Sequence, residues 1–154
     1  MTVRISPAHE VSKAGSPIRS HWFIARLVCR RAARGIAAKT LSPVELTKAC
    51  LARAKRLNPT LHAFIRFTEE SALAAAGAAE ARQMAGTLKG ALDGIPIGHK
   101  DIYDTADVPT TGHSRVLIDR VPAADATVVR MWREAGAVML GKLATHEFAW
   151  GGPS

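Results

Sequence analysis

Helix signals alternating with short apolar runs predict an α/β layered fold for this 154-residue chain. Three observations carry that expectation. Ser42, Pro43 and Glu45 spell Ser-Pro-x-Glu: an N-cap, a proline at the first helical position and a capping-box acid. Ile95, Ile97 and His99 alternate with Pro96, Gly98 and Lys100, the period-two pattern of a strand. Ala137 to Leu140 is an apolar run between Gly136 and Gly141, short enough for a buried strand.

The remaining elements follow in chain order. Residues 1–20, with Pro7, Gly15 and Pro17 among scattered serines, are expected to be disordered. Apolar residues recur at helical spacing from Trp22 to Ile36, with a break expected at Gly35. The helix capped by Ser42 offers Leu46, Cys50, Ala54 and Leu57 as its apolar face, and Asn58-Pro59 is expected to stop it. Leu61 to Thr68 contains AFIRF, a strand. Glu69 to Ala85 is an alanine-rich helix with Glu80 and Arg82 turned to solvent and Gly86 as its stop. After the strand Ile95–Lys100, residues 101–124 read as a long loop with a short turn of helix, and such loops are usually functional. Asp125 opens a helix with Val128, Val129, Trp132 and Ala135 on one face, ended by Gly136. The strand Ala137–Leu140 and a loop over 141–154 complete the chain, without an internal repeat.

A hydrophobic content of 47% with 22% charged residues describes a globular, soluble domain. Two cysteines, Cys29 and Cys50, are too few for a disulfide scaffold and read as reduced thiols. No apolar run approaches the roughly 18 residues that span a bilayer. The net charge of +8 is concentrated at one end: residues 1–40 hold eight Lys/Arg against one acid, and the rest hold thirteen against twelve. The basic head lacks aromatic interleaving and any binding motif, so a nucleic-acid partner is not expected.

Lys100 is the residue on which chemistry turns. At the end of its strand it shares a face with Pro96 and Gly98, which leave open space before the ammonium. A lysine partly withdrawn from water favours its neutral form and can serve as a general base. The competing reading is a surface lysine paired with Asp101. Asp101 itself either orients Lys100 or caps the following turn, and the sequence does not choose. Gly136 to Lys142 nearly spells the phosphate-binding G-x-x-x-x-G-K-[ST], but Leu143 replaces the hydroxyl, and the segment reads as a structural strand. His99, His113 and His146, with Glu147 or Asp101, lack metal-ligand spacing, and no metal is expected. His99 reads as a hydrogen-bonded structural histidine, Ser114 as a loop serine without a base beside it, and Trp132, Phe148 and Trp150 as packing residues.

GIPIGHKD, then VPTTGHSR, then DATVVRMWREAGAVMLGKLATHEF resemble the front portion of the amidase signature family, over residues 41–154 and ungapped through Gly90–Gly152. The resemblance implies that residues 21–154 form the N-terminal part of a single amidase domain, a mixed sheet layered between helices, truncated before the serine-rich segment. In that family the lysine of the IPI-x-x-KD segment belongs to a Ser–Ser–Lys triad that cleaves carboxamides, and by position that lysine is Lys100. The two serines come from a later GGSS-type run, and the serines here are all isolated. The implied function is amidase-type hydrolysis of a small carboxamide, with this chain supplying the lysine and inactive alone. Alternatives are the glutaminase-type subunit of a tRNA-dependent amidotransferase, a non-catalytic truncated remnant, and a basic accessory module. No cofactor is implied, the expected location is cytoplasmic without a membrane partner, and a homodimer stays open. A sheet cut partway is expected to strip partners from Val138, Met139 and Leu140.

Overall fold

A computed structural model describes residues 29–151. The expectations for the first 28 residues, the disordered basic head and the start of a helix at Trp22, lie outside the described residues.

Helix α1, Cys29–Ala37, buries Ala32 and Ile36. It runs through Gly35 instead of breaking there. The Gly35 carbonyl accepts the N–H groups of Thr40 and Leu41 at 2.9 and 3.2 Å, so the chain turns just after the helix. Helix α2, Pro43–Leu61, begins as its sequence requires: Ser42 is extended, and its Oγ accepts the Glu45 N–H at 3.0 Å. The same hydroxyl donates to Glu80 on the next helix. Asn58-Pro59 does not end α2, because a proline in the last turn removes a single hydrogen bond. The stop comes at His62, in the left-handed region at φ 48°. The Asn58 side-chain amide pairs with both backbone groups of Phe64 and so sets the turn into strand β1, Phe64–Phe67.

Helix α3, Glu69–Ala85, ends at Gly86 with φ 73°, as the sequence predicts. Ala72, Ala76 and Ala79 are buried, and their small side chains let α3 lie close to α2 and the sheet. Glu80 and Arg82 are not turned to solvent. Glu80 accepts from Ser42, and the Arg82 guanidinium forks onto the buried Asp93 at 2.6 and 2.8 Å. Strand β2 is Pro96–Lys100 and strand β3 is Val138–Leu143. Helix α4, Thr127–Glu134, starts two residues after Asp125, whose carboxylate accepts from the Ala106 N–H and from Arg133.

The three strands form a mixed sheet in the order β1-β3-β2, antiparallel on one side and parallel on the other. β3 is therefore the central strand, and it extends to Leu143, beyond the Ala137–Leu140 run. Val138 is fully buried and Leu140 nearly so. This corrects the expectation that these residues lose their partners: among the described residues the sheet edges are β1 and β2. Two apolar clusters hold the helices to the sheet. Ala32, Ile36, Leu41, Leu46, Ala49 and Ile95 form one; Leu51, Ala72, Ala76, Val138 and Leu140 form the other. At about 25 cal/mol per Å² of apolar surface removed from water, such clusters are the main source of cohesion.

Candidate functional site

β2 delivers Lys100 to the end of the sheet, and its side chain is exposed. The space over Gly98 is not open. A Cβ placed there would stand 2.9 Å from the Leu143 side chain, so Leu143 fills the region in front of β2 and Gly98 admits it. The Lys100 ammonium has no hydrogen-bond or ion-pair partner among the described residues. Its backbone is held firmly: the Lys100 carbonyl accepts the Tyr103 N–H at 3.0 Å, and the next N–H, of Asp101, donates to the Leu143 carbonyl at 3.1 Å.

Asp101 turns inward, away from Lys100, and this decides the question the sequence left open. Its Oδ2 accepts the Thr111 N–H at 3.0 Å and the Thr111 hydroxyl at 2.7 Å, with the His113 N–H at 3.4 Å. Its carbonyl accepts the Gly112 N–H at 2.9 Å. Asp101 thus closes the loop over 101–112 onto its own start.

The lysine withdrawn from water is Lys142, on β3, which is fully buried. Its Nζ donates to the Tyr103 carbonyl at 2.6 Å, to Thr110 Oγ1 at 2.9 Å and to Thr105 Oγ1 at 3.1 Å, and it lies 3.6 Å from Asp101 Oδ1. Both threonine hydroxyls spend their protons on carbonyls, of Tyr103 and Val108, so only their lone pairs face the amine. Three acceptors for three N–H bonds describe an ammonium. Burial draws the Lys142 pKa down, and the Asp101 carboxylate opposes that. The sequence did not single out this residue for the site; a lysine closing an apolar strand, with a threonine-rich loop earlier in the chain, was the available signal. Its near match to a phosphate loop is an α4–β3 unit, as expected.

His99 lies on the other side of β2 and is 4% exposed. It packs on Trp132 with ring centroids 4.9 Å apart. Among the described residues neither ring nitrogen has a hydrogen-bond partner, which corrects the expected hydrogen-bonded histidine. Burial, with the nearby Lys142 and Arg133 charges, pushes its pKa down to about 4, so the imidazole is neutral. His99, Trp132 and Met139 line an open cleft of about 810 Å³ to which Lys100 does not contribute.

Ser114 is buried, donates to Glu147 Oε1 at 2.6 Å and accepts the Val116 N–H, so its hydroxyl is committed to structure. The His113 ring meets the Thr145 carbonyl. Of the expected packing aromatics, Trp132 is half-buried and packed, whereas Trp150 is 89% exposed and Phe148 52%. Among the described residues no cluster of His, Cys, Asp and Glu has a metal-holding arrangement, and no helix is long and apolar enough to cross a membrane.

A family model described as Amidase matches residues 45–153. The A-type subunit of glutamyl-tRNA(Gln) amidotransferase from Myxococcus xanthus (strain DK1622) is 49% identical over 116 residues, 75% of this chain and 24% of that protein. The protein of the same name from Azotobacter vinelandii is 50% identical over 129 residues, 84% of this chain and 26% of that protein. Among solved structures, native peptide amidase from Stenotrophomonas maltophilia superposes with a TM-score of 0.75 at 34% identity, covering 80% of this chain and 26% of that one. A fatty acid amide hydrolase superposes with a TM-score of 0.77 at 25% identity, covering 82% and 22%. The chain spans about a quarter of the length of the relatives it matches.

Proposed function

We propose, for a chain that belongs to the amidase family, that Lys100 is the base of a Ser–Ser–Lys relay that cleaves a carboxamide C–N bond, and that both serines come from a segment beyond this chain. The observation that carries the reading is the contrast between the two lysines flanking Asp101. Lys142 has every N–H bond committed inside the protein, while Lys100 stands exposed, without a polar partner among the described residues, on a backbone fixed on both sides. An amine with no N–H bond committed to structure is available to exchange protons, and among the described residues Lys100 has no such commitment.

In the relay, neutral Lys100 takes a proton from the bridging serine, and that serine takes one from the nucleophile as it attacks the amide carbonyl. Backbone N–H groups hold the oxyanion while the relay returns the proton to the nitrogen that leaves as ammonia or an amine. Water then cleaves the acyl–serine ester to release the acid and restore the serine hydroxyl. Covering Lys100 with the serine-bearing segment removes water from the ammonium and so favours the neutral amine. The chain by itself therefore turns over no amide.

A second reading, the glutaminase-type subunit of a tRNA-dependent amidotransferase, is favoured by one finding. The curated relatives at 45–50% identity carry an amidotransferase name, whereas the amidase structures lie at 25–35%.

The test is a chimera that joins this chain to the later three quarters of the Azotobacter vinelandii protein, assayed for ammonia release from glutamine and from simple carboxamides. Activity that Lys100→Ala abolishes without loss of fold supports the proposal. A Lys100→Ala chimera as fast as its parent removes Lys100 from the role of base. Hydrolysis of glutamine alone selects the amidotransferase reading.

A further inference from the structure

We infer that Lys142 is a positioning residue for Lys100, a buried cationic peg that fixes where β2 ends and how the Lys100–Asp101 peptide is presented. The inference rests on the reading of Lys100 as the base and adds a residue that reading does not use. All four groups around the Lys142 Nζ belong to the ten residues that follow Lys100: Asp101, Tyr103, Thr105 and Thr110. Through them one side chain on β3 gathers the whole first part of the loop. Tyr103, whose carbonyl receives the shortest of these bonds, also donates its N–H to the Lys100 carbonyl. Asp101, whose Oδ1 faces the ammonium, donates its N–H to Leu143, the residue after Lys142. The peptide bearing Lys100 is therefore tied to the peg twice, through two different atoms.

The energetics point to geometry as the gain. Burying a charged pair carries a desolvation cost of several kcal/mol, and apolar residues of like volume in place of both partners often serve stability equally well. What an apolar residue cannot supply is direction. Three N–H bonds aimed at three oxygens define one arrangement of the loop, and a low-dielectric setting sharpens that preference. An amine held about 1 Å from its productive place loses much of its rate advantage, so such a device suits the residue next to a proton relay.

The test uses the whole 154-residue chain, isotope-labelled, and needs no turnover, so it stands apart from the chimera assay that judges Lys100 as base. Amide exchange is followed at Thr111 and Gly112, and the Lys100 13Cε resonance at one fixed pH, for the parent, Lys142→Met, Thr110→Val and Thr110→Ser. The expected result for Lys142→Met is roughly a tenfold or greater loss of protection at Thr111 and Gly112, with a moved Lys100 13Cε resonance. The amides of Thr68 and Ala144, which bond across β1 and β3, keep their protection. Thr110→Val should repeat the change at smaller size, and Thr110→Ser, which keeps the hydroxyl, should restore the parent behaviour. An unmoved Lys100 resonance in Lys142→Met overturns the inference, whether protection falls everywhere or nowhere. If Lys142→Met does not fold, an unmoved Lys100 resonance in Thr110→Val overturns it equally.

Discussion

The Lys142 ammonium and the Asp101 carboxylate face one another across 3.6 Å in a site where each side chain is 1% exposed. Removing either partner strands the other charge in the interior, which typically costs about 3–5 kcal/mol. Lys142→Met and Asp101→Asn should each lower stability on that scale. The double variant should lose less than their sum, by about 1 kcal/mol or more. Urea unfolding of the four proteins checks this, and strict additivity would show that the two charges do not interact.

His99 sets an acid limit on stability. Its pKa in the fold, about 4, lies below the ordinary 6.5, so the unfolded chain binds the proton more readily. The stabilisation from neutral His99 is complete above about pH 6.5 and is lost as pH falls from there toward 4. The loss is on the order of 3 kcal/mol. Thermal melts from pH 7 to 4 should show this decline, and His99→Phe should flatten it. An equal decline in His99→Phe would assign it to other groups.

The Arg82–Asp93 fork should resist salt. Asp93 is buried and also accepts the Lys89 N–H at 2.9 Å. Burial raises the Asp93 pKa, and the Arg82 hydrogen bonds with the Lys89 N–H overcome that and hold it below the ordinary carboxylate value. The pair therefore contributes stability above the unfolded value of about 3.9 and loses it as pH falls through the lower folded value. Arg82→Met should cost about 3 kcal/mol. That cost, measured by denaturation at 0.1 and 1 M NaCl, should change little, because buried pairs are weakly screened.

Two glycines should respond oppositely to alanine. At Gly141, φ is 154° and a Cβ would collide with the Arg66 carbonyl oxygen, so Gly141→Ala should split β1 from β3. A loss of about 2 kcal/mol or more is expected. At Gly77, in the exposed side of α3, nothing lies within 4 Å, and Gly77→Ala should stabilise by about 0.5–1 kcal/mol. Paired melting curves decide both.

Lys100→Ala, by contrast, should leave the melting curve within about 0.5 kcal/mol of the parent, since the side chain is exposed and holds nothing. A large loss would place Lys100 in the framework instead of the chemistry.

Local rules written in the chain were legible at once. Ser42-Pro43-x-Glu45 started α2, the alanine run with Gly86 bounded α3, and the alternation before Lys100 formed β2, because each depends on a few neighbouring residues. The expected break at Gly35 and stop at Pro59 failed because distant or flanking contacts outweighed a local propensity. Gly35 lends its carbonyl to the turn that follows, and Asn58 and His62 manage the exit of α2. The site was half legible. The residues around Lys100 stood out as a motif, whereas Lys142 lies 42 positions later and meets the loop after Lys100 only because β3 takes the centre of the sheet.

The sequence alone determined the alternation of helices and strands, the family resemblance and the position of Lys100, all read within short windows where spacing dictates face and cap. Tertiary structure decided which lysine is buried, which way Asp101 turns and what fills the space over Gly98. Those outcomes depend on which atoms exclude water from which charge, and that is settled only when segments far apart in the chain are packed together.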